Sequence, residues 1–147
     1  LYVGDFIKNA IFPVIYIRKT INRNIYHSLS MGWDIASKLG IEYLSNLDSD
    51  ILVKPNWIDT LISIYNKLIN NKDLKYNKTN LILSGFNTYR KHHKIVSEGE
   101  YYYLKKSIGG INLFFNKDLY KNIKPLLTDV RWDFRVSTYI NKLGTSL

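Results

Sequence analysis

Residues Ile41–Trp57 read Ile-Glu-Tyr-Leu-Ser-Asn-Leu-Asp-Ser-Asp-Ile-Leu-Val-Lys-Pro-Asn-Trp. A mainly apolar run, Ile41–Leu47, stops at two aspartates, Asp48 and Asp50, with Ser49 between them. Short apolar runs that end in polar punctuation are the mark of buried strands. Ligands of open α/β sheets sit just beyond the carboxyl ends of such strands. A strand over Ile41–Leu47 therefore predicts two carboxylates where a ligand would bind. Two such groups repel each other unless a cation lies beside them. Their hard oxygens suit Mg²⁺ or Mn²⁺, ions that usually hold substrate phosphates as well. An Asp-x-Asp spacing also serves turns and helix N-caps, so the neighbouring sequence has to decide its meaning.

Upstream, Ile11–Ile17 reads as a second buried strand with Pro13 near its start, and Arg18–Arg23 as a polar loop. Ile25, Leu29, Trp33, Ile35, Ala36 and Leu39 recur at helical spacing, and Gly40 follows as a C-terminal stop. The order strand, helix, strand predicts a right-handed βαβ unit, and hence a parallel sheet covered by helices.

Downstream, Asn56 is placed to cap a helix whose apolar face is Trp57, Ile58, Leu61, Ile64, Tyr65, Leu68 and Ile69. Asn70–Thr79 is a polar loop that contains the sequon Asn77-Lys78-Thr79, relevant only to a secreted chain. Leu81–Phe86 reads as a strand. Asn87–Ser107 suits a hairpin or loop turning near Glu98-Gly99. His92 and His93 would point to opposite faces of a strand and make poor co-ligands, and Tyr101–Tyr103 fit core packing better than base stacking. Gly109 and Gly110 precede a strand over Ile111–Phe115 and allow a close backbone approach or a positive φ. Asn116 caps a short helix through Ile123, which Pro125 ends. A last helix, preceded by Asp129 and Trp132-Asp133, runs through Lys142 to Gly144.

Composition sets outer bounds. A chain of 147 residues that is 46% hydrophobic can bury a core as a single domain, 1–147, and is too apolar to stay disordered. It contains no cysteine, which removes disulfides, thiolate metal sites and cysteine nucleophiles. The formal net charge of +9 favours anionic partners, but the lysines are scattered. They read as a solvated basic surface, and nucleic acid is not the expected partner. No apolar run reaches the roughly 20 residues of a membrane helix, and Leu1–Pro13 lacks a signal-peptide pattern, so a cytoplasmic location is expected.

Taken together, the strand-terminal Asp48-Ser49-Asp50, the extended Ile51–Pro55 and the helix from Trp57 resemble the metal-binding segment of family 2 glycosyltransferases with the GT-A fold. The resemblance covers roughly Phe12–Gly144. It implies a GT-A-like α/β three-layer sandwich with a mostly parallel central sheet, truncated at both ends. It also implies a Mn²⁺ or Mg²⁺ cofactor held by Asp50, with Asp48 contacting the donor ribose or the ion through water. The donor would be a nucleotide-sugar, most commonly a UDP-sugar, contacted by Asp48, Ser49, Gly109 and Gly110. Arg23, in Asn22-Arg23-Asn24, would touch the diphosphate. Trp132-Asp133 resembles the position of the general base of inverting members, with Asp129 in reserve and Trp132 beside the acceptor. That acceptor would be a hydroxyl on a glycan, protein or lipid. Asp133 has a structural alternative as a helix N-cap paired with Arg131 and Arg135, and the glycines as a tight corner. Two rival functions remain: a partial glycosyltransferase fold that serves binding or assembly, and a basic nucleic-acid-binding domain.

Overall fold

The computed structural model describes residues 3–18, 20–21, 23–85 and 95–143. The elements are α1 (Val3–Asn9), α2 (Asn24–Lys38), β1 (Tyr43–Ser45), α3 (Trp57–Asn70), β2 (Ile82–Ser84), β3 (Ile95–Glu98), β4 (Tyr103–Lys105), β5 (Leu113–Asn116), α4 (Lys117–Ile123), a 3₁₀ turn (Lys124–Leu126) and α5 (Trp132–Lys142).

The fold is mixed α/β. β5 lies between β1 and β2 and is antiparallel to both, so β1 and β2 run in the same direction without touching. A separate two-stranded sheet pairs β3 with β4. The expectation of a mostly parallel central sheet is therefore corrected. A parallel neighbour needs a crossover that carries the chain back to the other end of the sheet. The described chain between β2 and β5 supplies a hairpin instead, so β5 enters from the end where β2 stops.

Ile11–Ile17 is not a strand. Ile11 is 99% exposed, and Phe12, Ile15 and Tyr16 are more than half exposed. Apolar composition alone does not make a strand, because the segment also needs a ladder partner for its backbone groups. The expected βαβ unit reduces to α2 followed by β1.

Alternation along β5 builds the core. Leu113 and Phe115 face Trp33 of α2, Leu44, Ile82 and the apolar sides of α4 and α5. Phe114 faces the other way, onto Leu61, Tyr65 and Leu68 of α3. All four β5 residues are buried, as expected for a strand covered on both faces. Phe114 stacks on Tyr43 at 5.2 Å and meets Tyr65 edge-on at 5.7 Å.

Local signals set the helix ends. Gly40 takes φ 78°, and the N–H groups of Gly40 and Ile41 return to the carbonyls of Ser37 and Ala36 at 3.2 Å each. This is the Schellman closure that glycine permits after a helix. Asn116 Oδ1 accepts from Asp118 N at 3.0 Å and caps α4 as expected. Asn56 adopts φ 60° with no side-chain cap, so its carbonyl, which accepts from Thr60 N, starts α3 instead. Gly99 N donates to Tyr102 O at 2.9 Å at the hairpin turn. His92 and His93 lie outside the described residues, as does Gly144. Among the described residues no helix is long and apolar enough to cross a membrane.

Candidate functional site

The ladder between β1 and β5 continues past its last paired strand residues. Asn46 N donates to Leu113 O, and Asp48 N donates to Ile111 O, both at 3.2 Å. The Asn46 side chain locks this extension. Its Nδ2 donates to Gly110 O at 2.6 Å, and its Oδ1 accepts from Leu113 N at 3.2 Å. Asn46 thus joins the approach to the aspartates to the glycine segment. Sequence reasoning passed over it, although a lone amide in an apolar strand is the signal of a side chain with a backbone partner.

Ile51 N then donates to Asp48 O at 3.3 Å, folding Asp48-Ser49-Asp50 into one tight turn at the sheet rim. Asp48 is half-buried, while Ser49 and Asp50 are exposed. Partial burial pushes the Asp48 carboxyl above the usual carboxylate range, and the charge of Asp50 adds to the shift. Both causes disfavour the ionised form, and a cation at the turn would relieve both. Among the described residues, no group of three or more His, Cys, Asp or Glu is placed to hold a metal. Asp133 therefore does not join the aspartate pair as a third ligand. Two carboxylates suit the mode in which Mg²⁺ or Mn²⁺ takes one or two protein ligands and completes its shell with water and substrate phosphates.

Gly110 and Trp132 meet. A Cβ on Gly110 would lie 2.4 Å from Trp132 Cζ2, so only glycine fits there. Trp132 is 4% exposed, and it packs edge-on to Trp33 at 6.2 Å. Trp33 Nε1 in turn donates to Ser45 O at 3.0 Å. The expected acceptor contact, Trp132, is thus mostly core, and its ring fixes α5 against the glycine segment.

Asp133 occupies the first turn of α5, half-buried, and its Oδ1 accepts from Phe134 N at 2.8 Å. Arg135 does not pair with it. Arg135 binds Asp129, whose other oxygen accepts from Arg131 N at 2.8 Å. The Arg131 N–H, and then the Arg135 guanidinium, hold the Asp129 carboxyl below the usual range. Asp129 closes the turn before α5, its carbonyl accepting from Trp132 N, and a stabilised carboxylate makes a weak base.

Arg23 stands at the start of α2 and lines a separate shallow cavity of about 260 Å³ with Arg18, His27 and Met31. The structure thus gathers Asp48, Ser49, Asp50 and Gly110 at one rim, with Trp132 behind them, and gives Arg23 a cavity of its own. No family model matches the chain, and no curated protein or solved structure matches it either.

Proposed function

We propose that the chain transfers a sugar from a nucleotide-diphosphate sugar to an acceptor hydroxyl in a metal-dependent reaction with inversion. The reading is supported chiefly by one observation: Asp48 and Asp50 share a tight turn just past β1, hydrogen-bonded to the segment that carries Gly110.

In this reading Asp50 and Asp48 hold Mn²⁺ or Mg²⁺, which when bound would neutralise charge on the donor diphosphate. Ser49 and the backbone at Gly109 and Gly110 border the donor. Asp133 takes the acceptor hydroxyl proton as that oxygen bonds to the anomeric carbon. The anomeric carbon–oxygen bond breaks on the opposite face, and the nucleoside diphosphate leaves with the bonding pair. A positioned carboxylate base contributes roughly 10²–10⁴-fold. The UDP-sugar donor and the precise acceptor belong to the same proposal.

The test is nucleotide-sugar turnover with Mn²⁺. Asp50→Ala should abolish it, and Asp133→Asn should reduce it on the order of 10²-fold or more. Unchanged turnover in Asp50→Ala removes the assignment.

A further inference from the structure

Exposed apolar side chains and cations share the chain between α1 and the first turn of α2. Ile11, Phe12, Ile15, Tyr16 and Ile21 are each more than half exposed, and Ile17 and Ile25 only slightly less. Large apolar side chains left uncovered together in one segment mark a docking surface. The charge of the stretch has one sign. No Asp or Glu occurs between Asp5 and Asp34, whereas Lys8, Arg18, Lys19 and Arg23 all fall there. Among the described residues no carboxylate pairs with Arg18 or Arg23. The two properties meet in space at the shallow cavity before α2, which Arg18 and Arg23 line together with Ile17, Ile21 and Met31.

We infer that this face docks on an anionic bilayer surface, with Ile15, Tyr16 and Ile21 entering the boundary between headgroups and acyl chains and Arg18 and Arg23 meeting lipid phosphates. Charge complementarity requires an anionic occupant, and the uncovered isoleucines require an apolar one. A protein partner would need a shaped, closely fitting core. A fluid bilayer covers an extended apolar chain and a shallow hollow without such a fit. The arginine stems can lie along the apolar layer while the guanidinium groups stay at the phosphates. Apolar insertion and attraction to anionic lipid then act together, as reversible surface binding requires. This docking goes beyond the glycosyl-transfer reading and needs neither its metal nor its donor.

The experiment is co-sedimentation of the full chain with vesicles at about 0.1 M salt, without metal or nucleotide. Binding is expected to phosphatidylcholine vesicles that carry about 30% phosphatidylglycerol, with little to phosphatidylcholine alone, and it should fall steeply by about 0.5 M salt. Arg18→Glu/Arg23→Glu should lower partitioning roughly tenfold or more, and Ile15→Ser/Ile21→Ser by a similar factor. Both variants should melt with the wild type, because all four side chains are exposed. Lys72→Glu/Lys75→Glu makes the same change in net charge on exposed lysines after α3, and should lower partitioning by no more than about threefold. The proposal is overturned by no binding to the anionic vesicles, by equal binding to the neutral ones, or by undiminished binding of Ile15→Ser/Ile21→Ser. A loss in Lys72→Glu/Lys75→Glu as large as in Arg18→Glu/Arg23→Glu also overturns it, because net charge alone would then explain the binding. So does a dimer in dilute buffer that Ile15→Ser/Ile21→Ser turns into a monomer, since that assigns the face to a second copy. Because no metal is present, these outcomes are separate from failure of Asp48 and Asp50 to hold a cation.

Discussion

The main-chain N–H of Asp48 donates to the carbonyl of Ile111 across 3.2 Å. This bond extends the β1–β5 ladder to the first acid and places it beside the glycine segment. Burial and the charge of Asp50 both raise the carboxyl of Asp48 in this turn.

Metal should therefore stabilise the fold through these two residues. At a Mn²⁺ concentration of about 100 times Kd, the gain would be roughly 2.7 kcal/mol. A rise in Tm of several degrees is expected for the wild type, with none for Asp50→Ala. Without metal, Asp48→Asn should unfold slightly above the wild type, because it removes the repulsion. Differential scanning fluorimetry with and without Mn²⁺ checks both. A metal-free Asp48→Asn that melts lower would contradict the repulsion argument.

Gly110→Ala should be destabilising by about 1–3 kcal/mol, the usual range for overpacking. The added Cβ meets the Trp132 ring at 2.4 Å, and Trp132 is wedged against Trp33. Chemical denaturation gives the number. A neutral substitution would mean that α5 is free to move off the glycine segment.

Asn46→Ala should cost about 1–3 kcal/mol by leaving the Gly110 carbonyl and the Leu113 N–H without their side-chain partner. It should also lower turnover, because it loosens the join between the aspartate turn and the glycine segment. Denaturant midpoints and nucleotide-sugar assays on the same preparation separate the two effects.

Asp34 provides a pH-dependent contact. Partial burial opposes its ionisation, but Lys124 and Tyr120, hydrogen-bonded to it at 2.8 Å each, hold the carboxyl below the usual range. Burial in turn pushes the Tyr120 hydroxyl up to about 12. A depressed folded value stabilises the fold above the unfolded pKa of about 3.9, and that gain is lost as pH falls through the folded value. Asp34→Asn should melt below the wild type at neutral pH, by about 1 kcal/mol or less for so exposed a pair, and the gap should begin to narrow below the unfolded value and close once pH falls beneath the lowered Asp34 value. Melting curves against pH test this, and a gap that persists in acid would contradict it.

Features governed by a few adjacent residues were legible in the sequence. Gly40 after an amphipathic helix gave the Schellman end, and Asn116 before a charged turn gave the α4 cap. The strand before the acids was legible only in part, since the run Ile41–Leu47 pairs as a strand over Tyr43–Ser45 and leaves Ile41 and Leu47 exposed. Strand direction was not, since it depends on which end of the sheet a later segment enters, and no local pattern encodes that. Ile11–Ile17 shows the same limit, for an apolar run becomes a strand only where a partner exists. The partner of Arg135 was equally hidden: Asp129 and Asp133 both lie close to it in sequence, and only the three-dimensional path shows that Arg135 pairs with Asp129.

Calorimetric titration of UDP into the protein, with and without Mn²⁺, tests the aspartate turn most directly. Binding that needs Mn²⁺ and disappears in Asp50→Ala is the predicted result. UDP binding that is equal without metal, or unchanged in Asp50→Ala, would contradict it.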